Sequence, residues 1–297
     1  MEKEKIKVIY IVGIGRSGST LLERIIGGVD KVWPLGEIRS LKDYIEKRNS
    51  SRFSQKKFLD EDGKPVEESF FWSPIYKEIK EKKLKLFDKH HKFGVKKFFK
   101  TIKQKKYSGD EEKVLRLIME RAQEVEGGDV DYLLDASKII SRLTLLSKQK
   151  NIELYVIHLV RDGRGVINSF AKNGESWIKI LIRWIINNLF INFFIKPRIE
   201  KEKFIQLSYE LFSQDPKKYL EEINRKFGLD IDLDNYLAKA NQKKTYCISG
   251  NKMRSQDISE IKADQAWKKN LSFFKKMFLT ILIYPFNKIW VYNEKRK

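Results

Sequence analysis

The feature that most constrains the fold is a glycine-rich turn between a strand-like run and a helix-like run near the start of the sequence. Residues 6–12, Ile-Lys-Val-Ile-Tyr-Ile-Val, form a short β-branched run typical of a buried strand. Residues 13–20 are Gly-Ile-Gly-Arg-Ser-Gly-Ser-Thr, and residues 21–26 continue as a helix pattern that ends at Gly27 and Gly28. The N–H groups of such a loop, with those at the helix start, are predicted to bind an anion.

This loop differs from the P-loop of nucleoside triphosphatases at one position. That motif has the pattern Gly-x-x-x-x-Gly-Lys-Ser/Thr. Gly13 and Gly18 keep its spacing, but Ser19 stands where the lysine belongs, and the cation is Arg16 inside the loop. Because the lysine of the standard motif reaches the β- and γ-phosphates, an arginine three residues earlier predicts a shorter anion.

A second phosphate-type motif follows the most continuous apolar run, residues 153–160, which predicts a central parallel strand. Arg161 comes directly after this run, and Ser169 lies eight residues later on a predicted helix. A guanidinium fork and a hydroxyl are suitable donors for a phosphate. His158, within the strand, is predicted to be a buried core histidine.

The two motifs, in this order, resemble those of sulfotransferases that use 3′-phosphoadenosine 5′-phosphosulfate (PAPS). The resemblance covers about residues 6–41, 130–172 and 203–270 and does not inform the stretch between 42 and 128. It implies that Arg161 and Ser169 bind the 3′-phosphate. It also implies that the 5′-phosphosulfate is bound by the first loop, through Gly15, Arg16, Ser17, Gly18, Ser19 and Thr20.

The resemblance further implies catalytic residues. Gly36 and Glu37 look like the Gly-Glu pair that supplies the base in the branch containing protein-tyrosine and bacterial or archaeal-type sulfotransferases. Lys138 matches a lysine that approaches the sulfonate in the family, and Arg16 is the other implied catalytic cation. Arg254 lies in a stretch that resembles the family's late loop, which folds over the adenosine end of the cofactor. The alternatives are a solvent-exposed helix-capping glutamate for Glu37 and a surface lysine for Lys138.

The fold class expected from these patterns is α/β, a P-loop-like three-layer α/β/α arrangement with a central parallel sheet and helices on both faces. No repeat or linker divides the sequence, so residues 1–297 are predicted to form one domain. Residues 42–128 are charged and helical in pattern, and we expect them to form a helical insertion on the acceptor side. The lysine-rich run 80–106, with its interleaved aromatics, is either an ordinary amphipathic face or a surface that contacts acceptor or membrane.

Net charge and cysteine content indicate which partners and which cellular location to expect. The net charge of +21 predicts an acidic partner, such as a polyanionic cofactor or an anionic membrane surface. No nucleic-acid motif accompanies it, so no nucleic-acid partner is expected. Cys247 is the only cysteine, which excludes an internal disulfide, and no signal peptide is visible, so a cytoplasmic location is expected.

Residues 176–197 are the most apolar segment of the sequence. Lys179, Arg183 and three asparagines argue against a transmembrane helix, since a charge at a helix centre costs about 2.5–3.5 kcal/mol on insertion scales. A core helix is predicted, with an interfacial helix as the alternative. The tail, residues 273–297, is predicted to be a capping helix with a short end, and a peripheral membrane contact is left open.

The expected function is therefore sulfonate transfer from PAPS to a hydroxyl or amine, with Glu37 as general base and no metal. A carbohydrate, a lipid headgroup, a tyrosine or a small metabolite all remain open as acceptor. One alternative is a P-loop small-molecule kinase, against which the missing lysine after Gly18 argues. The other is a non-enzymatic basic protein that binds membranes or polyanions, which explains the charge but not the paired motifs.

Overall fold

The centre of the protein is a five-stranded parallel sheet with the spatial order β2-β3-β1-β4-β5. The structure, a computed structural model, describes residues 4–47, 58–86, 109–248 and 252–293. The predicted parallel sheet is confirmed. Its strands are β1 (Ile6–Gly13), β2 (Val32–Gly36), β3 (Tyr132–Lys138), β4 (Ile152–Val160) and β5 (Phe204–Ser208).

Strand β1 occupies the middle of this sheet because it is apolar on both faces. It pairs in parallel with β3 on one side and β4 on the other, with Val12 opposite Lys138 and Gly13 opposite Leu159. The first crossover leads from β1 towards β2, whereas β4 and β5 lie on the other side of β1. The strand order therefore reverses beside β1, and a crevice at the carboxyl edge is expected at such a switch point.

Helices cover both faces of the sheet, as predicted. Val8, Tyr10 and Val12 of β1 face one layer, and Ile9 and Ile11 face the other. The helices of the described residues are α1 (Ser19–Gly27), α2 (Arg39–Lys47), α3 (Trp72–Glu81), α4 (Glu111–Glu126), α5 (Ile140–Leu146), α6 (Gly163–Ala171), α7 (Trp177–Phe190), α8 (Tyr209–Gln214), α9 (Pro216–Phe227), α10 (Tyr236–Gln242), α11 (Trp267–Asn270) and α12 (Phe273–Trp290).

A separate apolar cluster joins α6, α7, α11 and α12 around Trp184. The indole of Trp184 is fully buried, donates a hydrogen bond to the carbonyl oxygen of Arg161 at 3.0 Å, and lies 5.4 Å from the ring of Trp290. Helix α7 continues through a π-helical turn, Ile191–Ile195. The C-terminal helix is thereby packed against the unit that follows β4.

Helix α7 matches the predicted core helix on its inner face only. Within the described residues, Trp177–Arg198 is the one helical span that is long and apolar enough to cross a membrane, judged by length and composition, and 44% of its apolar 18-residue window is buried. Ile180, Leu181 and Trp184 point into the protein, whereas Ile178 is half exposed.

The stretch between β2 and β3 is only partly described. Helices α3 and α4 pack on the layer that faces Val8 and Tyr10, and α4 ends before Gly127, which has the left-handed φ of 84° expected of a helix-terminating glycine. Residues 87–106 of the lysine-rich run, with Phe87, Phe93, Phe98, Phe99, His90 and His91, lie outside the described residues. The acceptor-side role of residues 42–128 stays a prediction.

Candidate active site

The loop between β1 and α1 has a backbone that few side chains tolerate. Gly13 has φ 152°, Gly18 at the start of α1 has φ 89°, and Arg16 between them has φ 68°. A Cβ atom at Gly13 would lie 2.4 Å from the carbonyl oxygen of Leu159 on β4. A left-handed φ at a non-glycine residue costs free energy and persists where the surrounding structure imposes it, often at functional sites. The loop is thus a strained turn, braced against β4 and ending at the N-terminus of α1.

This loop also buries a hydroxyl group. Ser17 is 1% exposed, and its Oγ has no hydrogen-bond partner among the residues that the structure describes. Buried polar atoms are nearly always paired, so such an atom calls for an explanation. Together with the free N–H groups at the start of α1, the Ser17 hydroxyl supplies donors for an anion, and the exposed Arg16 supplies a charge.

Arg161 connects this loop to the end of the chain. Its Nη1 donates to the carbonyl oxygen of Arg16 at 2.9 Å, and its Nη2 donates to the carboxylate and carbonyl oxygens of Asp264, each at 2.9 Å. The guanidinium lies 4.8 Å from the ring centroid of Tyr209. The predicted 3′-phosphate arginine is therefore next to the predicted 5′ loop, and its anionic partner is a carboxylate.

Ser169 lies on α6, about two turns beyond Arg161, and its neighbour Phe170 reaches the first loop. A Cβ atom at Gly15 would lie 3.3 Å from the ring of Phe170. The carboxylate of Asp162 accepts a hydrogen bond of 2.8 Å from the first turn of α6 and so caps the helix. The first loop and the β4–α6 turn therefore form adjacent walls at the carboxyl edge of the sheet.

Glu37 and Lys138 lie together at this same edge. Lys138 Nζ is 2.8 Å from Glu37 Oε1, and Arg39 Nη2 is 2.9 Å from Glu37 Oε2. Lys138 stands opposite Val12 in the sheet and has a left-handed φ of 64°. Because β2 and β3 are neighbouring parallel strands, the residues at their carboxyl ends meet beside the root of the first loop.

These contacts keep Glu37 ionised. Burial opposes the charge of its carboxyl, but the positive charges of Lys138 and Arg39 and their hydrogen bonds outweigh burial and lower the pKa of Glu37 to about 2. A carboxylate with so low a pKa is a weak base. Departure of either cation would make Glu37 more basic.

A buried ion pair fixes the backbone in front of Glu37. Glu23 of α1 accepts a hydrogen bond of 2.7 Å from the N–H of Gly36 and a second of 2.7 Å from Arg254 Nη2. Both side chains are nearly buried, at 2% and 8% exposure. Gly36 has φ 75°, and a Cβ there would lie 2.5 Å from the carbonyl oxygen of Ile248. The contacts of Arg254 are thus with the protein, and its assignment to the cofactor stays a prediction.

A second buried network supports the turn that carries Lys138. Asp135 accepts 2.8 Å and 2.7 Å hydrogen bonds from the N–H of Ser137 and from Arg142 Nε, and Arg142 also pairs with Glu111. All four side chains are buried. This network fixes the end of β3, because an unpaired charge at such a depth would be strongly destabilising.

Sequence reasoning missed Arg39, Asp264 and Glu23 as parts of this site. The Glu-x-Arg spacing of Glu37 and Arg39 was a usable signal. No local sequence pattern predicts that Asp264 pairs with Arg161, because 103 positions separate the two residues. Among the described residues, no group of three or more His, Cys, Asp or Glu side chains is placed to hold a metal ion.

The central parallel sheet, with a strand, a glycine loop and a helix start at its middle, defines a P-loop-like α/β protein. Residues 8–233 match the model of the sulfotransferase family, and the chain belongs to this family of enzymes. The resemblance seen in the sequence is confirmed. The kinase and the non-enzymatic alternatives are not retained.

Two solved structures share the fold over nearly the whole chain. The sulfotransferase domain from the Synechococcus PCC 7002 olefin synthase is 19% identical, with a TM-score of 0.58 over 95% of this chain and 96% of that one. The sulfotransferase domain from the curacin biosynthetic pathway is 18% identical, with a TM-score of 0.54 over 95% and 99% of the two chains. A search of curated protein sequences gives no match.

Proposed function

We propose that this enzyme transfers a sulfonate group from PAPS to a hydroxyl or amine of its acceptor, with Glu37 as the general base. The observation that carries the proposal is the position of the Glu37–Lys138 pair. Lys138 lies opposite Val12, immediately before the glycine loop, so an acid–base residue and a cation flank the predicted sulfonate position. A cytoplasmic location remains part of the proposal.

The residues present fit a nucleotide with phosphates at two positions. Ser17 Oγ, the start of α1 and Arg16 offer donors and charge to a 5′-phosphosulfate. Arg161 already holds one anionic group, the half-exposed carboxylate of Asp264, and a 3′-phosphate would take that place. ATP has no 3′-phosphate, so Arg161 supports PAPS over ATP.

The bound donor supplies an activated sulfonate with a good leaving group. The loop N–H groups and Arg16 stabilise the negative charge that develops on the bridging oxygen. Lys138 offsets charge on the transferring group, and Glu37 removes the proton from the acceptor. Proton removal by a positioned base is typically worth about 10²–10⁴-fold in rate.

The ion pair links the roles of Glu37 and Lys138. While Lys138 is bound to Glu37, the carboxylate is too weak a base for its task. A turn of the ammonium towards the sulfonate strengthens donor contacts and raises the pKa of Glu37 in the same step. Donor binding therefore makes Glu37 a stronger base, while Arg39 still holds its second carboxylate oxygen.

Calorimetric titration with 3′-phosphoadenosine 5′-phosphate (PAP) and with AMP tests the donor assignment. A charge-assisted hydrogen bond is worth about 1.5–3 kcal/mol, so PAP should bind at least roughly tenfold more tightly. Arg161→Ala should erase most of this preference, and Arg225→Ala, on the exposed surface of α9, should leave it unchanged. Equal affinities of the parent protein for PAP and AMP would overturn the assignment.

An acceptor screen with labelled PAPS then tests carbohydrates, lipid headgroups, tyrosine and small molecules as acceptors.

A further inference from the structure

The outward faces of α7 and α12 together form a large exposed apolar surface. On α12, Phe273, Phe274 and Ile281 are 72%, 77% and 67% exposed. The two helices touch through the rings of Trp177 and Phe278, whose centroids lie 6.0 Å apart. We call these exposed side chains the apolar surface, which consists of Ile178, Ile182, Phe273, Phe274, Met277, Phe278, Ile281, Leu282, Tyr284 and Ile289.

Helix α12 is apolar on its inner side as well. Leu279, Ile283 and Trp290 are buried against the cluster around Trp184. A surface helix normally has a polar outer face, and a helix that is apolar all round is normally covered on every side. Contiguous exposed apolar patches of this kind mark interaction sites. We therefore expect the outer face of α12 to be covered by a binding partner.

The two segments that form this surface carry only basic charges, although Glu175, just before the first segment, pairs with Arg183 at 3.6 Å. Residues 176–199 and 265–293 contain no Asp or Glu. Lys275 and Lys288 lie with their ammonium groups 5.7 Å and 6.0 Å from the ring centroids of Trp177 and Tyr284, so apolar and cationic groups share the face. The basic side chains of the two segments are Lys179, Arg183, Lys196, Arg198, Lys268, Lys269, Lys275, Lys276 and Lys288.

We propose that the apolar surface binds the interface of an anionic phospholipid membrane. Aromatic and aliphatic side chains enter the boundary between headgroups and acyl chains, and the lysines contact the negative headgroups. A second copy of this chain is a poorer partner, because two such faces would bring like charges together.

Helix α12 lies along the membrane and does not cross it, since its inner side is tied to the protein. Asn287 Oδ1 accepts a hydrogen bond of 3.3 Å from the N–H of Gly163, and Thr280 Oγ1 accepts one of 3.0 Å from Arg164. The carbonyl oxygen of Trp290 accepts one of 3.1 Å from Gln206 on β5. Because Gly163 and Arg164 begin α6, the membrane-facing helix packs directly on the helix that carries Ser169.

Co-flotation of the full chain with vesicles tests this proposal. The vesicles contain phosphatidylcholine alone or phosphatidylcholine with phosphatidylglycerol, at low and high salt. Binding is expected to the anionic vesicles, and part of it should survive high salt, since only the charge contribution is screened. Absence of binding to the anionic vesicles at low salt would overturn the proposal.

Matched variants separate insertion from general charge attraction. Phe274→Ser with Phe278→Ser should weaken vesicle binding by roughly tenfold or more, because both rings leave water on binding. Phe70→Ser is the control, since Phe70 is also exposed but packs beside Tyr246 near the opposite edge of the sheet. Lys275→Glu with Lys288→Glu should also weaken binding, more than Lys77→Glu with Lys80→Glu at exposed positions of α3, which changes the net charge equally.

Each variant is checked for unchanged PAP affinity, so a loss of vesicle binding is not a loss of fold. Equal vesicle binding by the Phe274→Ser/Phe278→Ser protein and the Phe70→Ser protein would overturn the proposal. A stable dimer of the parent chain that dissociates on Phe274→Ser/Phe278→Ser would also overturn it, in favour of a second copy as the cover.

Discussion

Lys138 Nζ lies 2.8 Å from Glu37 Oε1, although 101 positions separate the two residues in the chain. Glu37 comes directly after β2, and Lys138 ends β3. Arg39 holds the second oxygen of the same carboxylate. Two cations thus hold the carboxylate that we propose as the general base, and the first three predictions follow from this arrangement.

Glu37→Gln keeps the size of the side chain and removes the base. We expect kcat to fall by about 10²–10⁴-fold while donor affinity stays within a few-fold. Arg16→Ala should instead weaken donor binding and slow transfer together, since we propose that Arg16 faces the phosphosulfate. Single-turnover kinetics over a range of PAPS concentrations measure the transfer rate and the donor affinity, with Glu222→Gln on the surface of α9 as control. Transfer by Glu37→Gln at the parent rate would show that another group is the base.

Lys138→Met removes one of the two cations that lower the pKa of Glu37. In the parent protein a pKa of about 2 leaves Glu37 ionised over the working pH range, so it gives kcat/KM no acid limb there. In the variant the pKa of Glu37 should rise, and an acid limb of kcat/KM should move to higher pH. Profiles of kcat/KM against pH for both proteins test this, and identical acid limbs would contradict the assigned coupling.

The same pKa predicts how Glu37 affects stability. The pKa of Glu37 is lower in the folded protein than the ordinary 4.5, so folding favours the ionised form. Its contribution is fully present above about pH 4.5 and is lost as pH falls towards 2, up to about 3 kcal/mol. The difference in free energy of unfolding between the parent and Glu37→Gln should therefore shrink on acidification. Urea titrations at several pH values measure it, and a difference that does not change with pH would contradict the prediction.

The positions of many site residues can be predicted because these residues follow the carboxyl ends of strands. The sequence predicts strands before the glycine loop, Lys138 and Arg161, and parallel strands bring such ends to one edge. The juxtaposition of Glu37 and Lys138 could therefore be predicted from order alone. The ion-pair partners at the site could not be predicted from the sequence. Asp264 contacts Arg161, and Glu23 contacts Arg254, only because segments far apart in the chain pack together.

Helix α7 shows a second limit of sequence reasoning. Its composition predicts a core helix, and the residues on its inner face are indeed part of the core. Which side of an apolar helix faces outward depends on what packs against it, and the partner is α12, more than eighty residues later. Since both helices are apolar nearly all round, periodicity gives no warning of the exposed face.

Asp264→Asn tests whether this carboxylate occupies a nucleotide position. The amide keeps an oxygen for the hydrogen bond of 2.9 Å from the N–H of Ala266 and removes the charge that competes for Arg161. We expect PAP to bind a few-fold to about tenfold more tightly, a change of up to about 1.4 kcal/mol. Calorimetry measures it, with the exposed Asp234→Asn as control. A loss of PAP affinity would show that Asp264 contributes to binding.

Glu23→Ala should destabilise the fold. It leaves the buried guanidinium of Arg254 and the N–H of Gly36 without their carboxylate, which costs about 3–5 kcal/mol. Glu222→Ala removes only a surface contact with Lys226 and should change the free energy of unfolding by less than about 1 kcal/mol. Urea denaturation compares the two. Glu23→Leu combined with Arg254→Leu should recover part of the loss, and an equal effect of both alanine variants would refute a structural role for the pair.

The hydrogen bond from Arg161 to Asp264 has a consequence for how this protein matures. All five strands have been synthesised once Ser208 is made, and the family match ends at residue 233. A nascent chain that stops at residue 233 contains every strand of the sheet but not the segment that carries Asp264. Its Arg161 would still lack Asp264, and the layer of α6 would still lack α12. Packing of the last sixty residues or so therefore gives Arg161 its carboxylate partner and covers the layer of α6.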